Sequence, residues 1–348
     1  MKPRPTILIR ADASPEIGTG HVMRCLALAE ALMEQGALPV FCGAQITPAL
    51  VSLLADAGFA HHQINAAQDA AATQALCQSL AVKGLVVDSY TLDSRWRAAV
   101  HQSGLAVLAL DDLADRTLHA DLVWNPAPAG GGIAYDRLAP KAVRLFGDDY
   151  VLIRREIRDL ITTQRPPLPD RTHLLVTFGG SDPAGLTVPV IKRLGPMLPL
   201  GVVLDVVVGG SNPNLACCRA AAARFPACRL HVDSRAMGRL IAESGLAITA
   251  GGGTVAEMAA LATPTLLVAV ADNQAGAAED ARRRDWAEVL DARGQPAGAM
   301  ADIIAATALA LWHNPTRRDS LARRIAGIDG QGAPRVAAAL LHLIEVAG

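Results

Sequence analysis

The stretch TILIRADASPEIGTGHVMRCLALAEALMEQG, residues 6–36, changes its period partway along. TILIRAD is a short apolar run rich in branched residues, the composition of a strand buried on both faces. From residue 22 on, Val22, Cys25, Leu26, Ala29, Leu32 and Met33 recur at helical spacing, and Gly36 supplies a stop. A strand, a glycine turn and a helix in this order open a βαβ unit. The turn itself, EIGTGHVMRC at residues 16–25, carries Gly18, Gly20 and His21.

The same punctuation returns along the chain. ALPVFCG, GLVVDSY, LAVLALDD and DLVWNPAP read as further strands, each continuous rather than alternating, and ALVSLLADAG reads as a second helix ending at Gly58. The polar, proline-bearing segment TTQRPPLPDRTH, residues 162–173, reads as a linker. Beyond it the pattern restarts with LLVTFGGSDP, LDVVVGGSNPN, CRLHVDS, GLAITAGGGTVAEMAAL and PTLLVAVADNQ. Two consecutive doubly wound α/β domains are expected, residues 1–165 and 170–325, with a last helix over 326–348 that packs on one of them, the N-terminal one being the expected partner.

Length agrees with this division, because 348 residues suffice for two domains that each bury a core. Hydrophobic residues make up 51% and charged ones 19%, with 32 Lys and Arg against 33 Asp and Glu. A formal net charge of −1 without a basic stripe argues against a nucleic-acid partner. The start, MKPRPTILIRADAS, is too soon acidic for a signal peptide, and no apolar run is long enough to span a membrane. Six cysteines without a CxxC pair fit reduced thiols in a cytoplasmic protein.

Ligand sites of open α/β sheets lie beyond the carboxyl ends of the strands. The GTGHVM turn stands at such an end, but the dinucleotide fingerprint needs a glycine or alanine where Met23 stands. The second strand also lacks the acid that would hold a ribose, and no GK[ST] sequence occurs, so neither NAD nor a P-loop is expected. His21 at a helix start is either a first-turn cap or a general base. The positive helix end disfavours the imidazolium there. Arg24 lies one turn on, and Arg10 and Asp12 at the preceding strand end could orient the histidine, contact a ligand or form a surface ion pair. Zinc-type spacing is absent: His61-His62, Asp111-Asp112 and Asp148-Asp149 stand as isolated pairs, and no metal is expected.

In the second half, AITAGGGTVAEMAAL offers an anion site made of backbone N–H groups, with Gly252, Gly253 and Thr254 suited to a diphosphate. Glu257, in the first turn of the helix, suits two adjacent ribose hydroxyls, or else simply complements the helix dipole. Gly179, Gly180 and Ser181 form a second loop of the same kind.

AGGGTVAE is similar to the UDP-binding loop of two-Rossmann-domain glycosyltransferases such as the lipid II-forming N-acetylglucosaminyltransferase. RADASPEIGTGHVMRCLALA, VVDSY, LDD, FGDDYVLIRREI, FGGSDP, GGSNPNL, AVADNQ and DGQGAPRV, spread from residue 10 to 336, resemble more closely the UDP-sugar hydrolases of pseudaminic acid synthesis. That resemblance implies a GT-B-like chain, two Rossmann-like domains facing across a cleft. It implies a cytoplasmic hydrolase that acts without a metal or other cofactor on a small-molecule UDP-sugar. Two such domains can form a complete site in a monomer, the expected state, and composition argues against a membrane or nucleic-acid partner. His21 would be the base. Tyr90, Asn273 and Gln274 would lie near the sugar; from the turn itself, Gly18 and Gly20 are expected to leave room for it and Arg10 and Asp12 to be within its reach. Gly179, Gly180, Ser181, Gly252, Gly253, Thr254 and Glu257 would hold UDP, with the uracil near Asp233 to Met237. Inversion at the anomeric carbon is implied. A glycosyltransferase of the same fold and a non-catalytic sugar-nucleotide-binding protein are the alternatives.

Overall fold

A computed structural model describes residues 4–14, 17–101, 104–127 and 129–347. Pro15 and Glu16 of the GTGH turn, Gln102 and Ser103, Pro128 of DLVWNPAP, the first three residues and Gly348 lie outside the described residues. The chain divides into two compact units, residues 1–155 with 329–348, and residues 156–328.

The first unit carries seven strands: β1 Thr6–Ala11, β2 Leu38–Gly43, β3 Ala60–Gln63, β4 Val82–Asp88, β5 Ala106–Leu110, β6 Leu122–Asn125 and β7 Val143–Phe146. Their order is β3-β2-β1-β4-β5-β6-β7, and every pairing is parallel. The second unit carries β8 His173–Thr177, β9 Val203–Val208, β10 Cys228–Val232, β11 Ser244–Ala250, β12 Thr265–Ala269 and β13 Glu288–Asp291. Its order is β10-β9-β8-β11-β12-β13, again all parallel. Parallel sheets need both faces covered, which is why the central strands read as unbroken apolar runs. Ile7, Leu8 and Ile9 of β1 and Leu246, Ala247 and Ile248 of β11 are wholly buried.

The helix after β1 spans Gly20–Glu34 and buries Val22, Cys25, Leu26, Ala29 and Leu32, the stripe read from the sequence. It stops at Gly36, whose φ of +90° is easy only for glycine. There Ala37 N–H donates to the Leu32 carbonyl and Gly36 N–H to Met33, a Schellman motif. The last helix, Gly332–Ala347, belongs to the first unit, where Ala333, Val336, Ala337 and Leu340 join the core of Ile7, Ile9, Val22 and Leu26. Each large aliphatic side chain buried there contributes about 1.5–3 kcal/mol. The segment 162–173 falls inside the second unit.

Candidate active site

In the first sheet β1 lies between β2 and β4, so the connections leaving β1 and β4 diverge and open a crevice at their carboxyl ends. The sequence fills this crevice with polar side chains. His21, the second residue of its helix, is 5% exposed and donates from Nδ1 to Asp88 Oδ1 at 2.5 Å. Asp88 ends β4 and is fully buried. Burial pushes its carboxyl up, but the Arg24 guanidinium and His21 outweigh this and hold it well below the usual carboxylate range. An ionised carboxylate only accepts hydrogen bonds, so the shared proton sits on Nδ1, and the tautomer this selects for the neutral ring carries its lone pair on Nε2.

Arg24, one helical turn after His21, grips the other edge of Asp88 from Nε to Oδ2 and from Nη2 to Oδ1, both at 2.6 Å. Its Nη1 donates to both oxygens of Asp112, at 2.7 and 3.0 Å. Tyr90 donates its hydroxyl to Asp112 Oδ2 at 2.6 Å and sets its ring edge-on to His21, 4.3 Å between centroids. Burial and Asp112 push the Tyr90 phenol up. The guanidinium lies over Trp124 of β6, 5.2 Å from the ring centre. His21, Asp88, Arg24, Asp112 and Tyr90 thus form a closed ring of contacts.

Arg10 and Asp12 do not orient His21, and the surface ion pair considered for them is buried. Arg10 is 1% exposed and pairs with Asp12 at 2.7 Å and Asp69 at 2.6 Å, while Trp96 Nε1 donates to Asp69 at 2.7 Å. Asp12 accepts from the Ala44 and Gln45 N–H groups, tying the end of β1 to the loop after β2. The physical reason is direction: side chains alternate along a strand, and Arg10 turns toward the helix Asp69–Ser79. The orienting carboxylate is Asp88, on a strand far away in sequence. Gly18 adopts φ +81°, and among the described residues, chain neighbours and the helix's own backbone aside, no atom lies within 4 Å of where a Cβ on Gly18 or Gly20 would stand.

In the second unit β8 and β11 are the central neighbours, and both lead into glycine loops. Gly179 takes φ +85°, and the Gly180 carbonyl accepts from Gly209 N–H at 2.9 Å. Ser181 is half-buried beside Asp182, whose carboxylate caps the Leu186 and Thr187 N–H groups. Asp233 accepts from Gly210 N–H at 2.8 Å, and Met237 is buried at the start of the helix Met237–Glu243. After β11, Gly252 and Gly253 precede the helix Thr254–Ala260, with Thr254 as its first residue and Glu257 buried in its first turn. Gln274 stands with this loop: its amide oxygen accepts from Gly251 N–H at 3.1 Å and Val270 N–H at 2.9 Å. Asn273 beside it is exposed.

Sequence reasoning missed the roles of Asp88 and Trp124, and weighed Asp112 only as half of an isolated pair for a metal. Asp88 sits inside the quoted VVDSY, at the carboxyl end of an apolar run, and that position was the available signal. Among the described residues no group of three or more His, Cys, Asp or Glu is arranged to hold a metal ion. No described helix is long and apolar enough to cross a membrane.

No protein-family model matches the chain. The UDP-2,4-diacetamido-2,4,6-trideoxy-β-L-altropyranose hydrolase of Campylobacter jejuni is 23% identical over 268 residues, 72% of this chain and 86% of that one. Among solved structures, the spinosyn rhamnosyltransferase SpnG complexed with thymidine diphosphate is 16% identical, covers 98% of this chain and 100% of its own, and superposes with a TM-score of 0.66. S. aureus MnaA in complex with UDP is 14% identical, covers 98% and 97%, and gives a TM-score of 0.64. At such identities the likeness is one of fold: this chain has the two Rossmann-like α/β domains of the GT-B type.

Proposed function

We propose that this chain is a UDP-sugar hydrolase that cleaves UDP-2,4-diacetamido-2,4,6-trideoxy-β-L-altropyranose at its anomeric carbon, giving UDP and the free sugar for pseudaminic acid synthesis. One observation carries the reading: a buried, ionised Asp88 holds His21 by Nδ1, which leaves Nε2 as a base. The name of the C. jejuni relative supports the substrate, and the GT-B fold supports the nucleotide-sugar class.

The reaction follows from these parts. A water at Nε2 gives up one proton to His21 as its oxygen bonds to C1 from the face opposite UDP. The bond from C1 to the UDP phosphate oxygen breaks, and its electron pair leaves with UDP. A diphosphate is a good leaving group, so no strong general acid is required. Backbone N–H groups around Gly252, Gly253 and Thr254 and the Gly179–Ser181 loop meet its charge. Glu257 accepts from the ribose, and uracil lies near Asp233 to Met237. Gly18 and Gly20 leave room for the sugar, which Tyr90 and Asn273 contact, while Gln274 holds the glycine loop. One base and one water give inversion, as in inverting glycosidases with imidazole in place of a carboxylate. The enzyme acts as a cytoplasmic monomer without a metal.

The test is His21→Asn. UDP binding, measured by calorimetry, stays near wild type, while turnover falls about 10²–10⁴-fold. Near-wild-type turnover sinks the base assignment. In ¹⁸O-water the label enters the sugar; label in UDP means attack at phosphorus. A glycosyl transfer reading draws on the likeness to the rhamnosyltransferase. Turnover of UDP-sugar without any acceptor separates the two.

A further inference from the structure

We propose that Arg24 is a positioning residue that takes up much of the Asp88 charge and so sets how tightly the His21 ring holds a proton. The inference deepens the hydrolase reading and rests on it. A carboxylate that stands alone behind a histidine lends the ring its whole charge and steadies the imidazolium. Asp88 does not stand alone. Two of the N–H groups it accepts come from Arg24, at 2.6 Å each, against one from the ring. Arg24 Nη2 is also 3.5 Å from His21 Nδ1, so a positive charge already sits beside the ring. Both effects act in one direction, against a second positive charge there.

Asp112 works the other way. It takes the third arm of the guanidinium with both oxygens and also accepts the Tyr90 hydroxyl, so it draws Arg24 outward from Asp88. The titratable and charged groups around the ring come from three elements. Arg24 and Cys25 lie on its own helix, Asp88 and Tyr90 at and after the end of β4, and Asp112 after β5. Cys25 is a buried thiol 3.6 Å from Asp88, and burial pushes it well above its ordinary value, so it brings no charge. The outcome is a histidine held in place by a carboxylate whose charge is largely spent on the arginine. Such a ring is oriented as a base and releases the proton it takes from water.

The experiment is a titration of the His21 ring by ¹H–¹⁵N NMR in the free protein, without substrate. Arg24→Met moves the pH of half-protonation upward by about one unit, a tenfold tighter hold on the proton. Asp112→Asn leaves Arg24 and Asp88 in place and moves it downward by a smaller step. Arg24→Lys retains the charge and stays nearer wild type than Arg24→Met. A merely structural role gives no such opposed pair of shifts. An unchanged or lower midpoint in Arg24→Met, or a higher one in Asp112→Asn, overturns the proposal. Should Arg24→Met not fold, the sign for Asp112→Asn decides alone. Because the readout needs no turnover, it stands apart from His21→Asn: an active His21→Asn sinks the hydrolase mechanism and leaves the titration result intact.

Discussion

In the first unit, the helix after β1 and the segments leaving β4 and β5 meet in five polar side chains, His21, Arg24, Asp88, Tyr90 and Asp112. In the second, the loops after β8 and β11 occupy the same topological place and are built from Gly179, Gly180 and Gly251 to Gly253. Counted within each unit, the first six strands have the same order, so the scaffold does not account for the difference. A proton acceptor needs a side chain with a lone pair, a fixed tautomer and a buried partner, and the first crevice supplies all three. A diphosphate needs only oriented N–H groups and space, which backbone and glycine provide without cationic side chains. That agrees with a chain whose formal charge is −1.

The proposed division of labour, proton chemistry in the first unit and nucleotide in the second, can be broken by crossing the two sites. The largest effect belongs to His21→Asn, with turnover falling about 10²–10⁴-fold and UDP affinity unchanged. Asp88→Asn comes next. It can donate to Nδ1 and so favour the wrong tautomer, and kcat should fall by about 10²–10⁴-fold. Stopped assays of UDP release check both; a loss of UDP binding in either variant erases the contrast. Glu257→Gln and Gly251→Ala test the other side. In the second of these the new methyl stands 2.9 Å from Gln274 Cβ and must displace it. Each should weaken UDP about tenfold in calorimetry and leave kcat at saturating substrate within about twofold.

Asp69→Asn sharpens the comparison from outside the site. It loosens the buried Arg10 network and should cost about 3 kcal/mol of unfolding free energy in urea, with kcat per folded molecule nearly unchanged. A large fall in kcat at full folding would return Arg10 and Asp12 to the substrate. The smallest effect is that of Tyr90→Phe, a few-fold in kcat from a looser Asp112. Acid stability gives a further check. The Asp88 carboxyl is held below its unfolded value, so its contribution is present above about pH 4 and is lost as pH falls further. Urea midpoints of the wild type should drop below about pH 4 more steeply than those of Asp88→Asn; parallel curves contradict the assignment.

The strands not seen in the sequence share a position. AHHQ, VRLF and EVLD form β3, β7 and β13, and each is the outer strand of its sheet. An edge strand is short and half-wetted, so it lacks the apolar run that marks a central parallel strand. The helix after β1 was legible to within two residues at either end, because its stripe and its stopping glycine are local features.

By itself, the sequence determined the two rounds of βαβ punctuation, the His21 turn at a helix start and the glycine loops, since each depends on neighbours along the chain. Only the tertiary structure decided what His21 touches. Asp88 is 67 residues away and reaches the histidine because β4 pairs with β1. Arg10 and Asp12 are nearer in sequence but point to Asp69 and the loop after β2. Strand order is a product of packing both sheet faces, and it brought Asp88, rather than the nearer charges, to the ring.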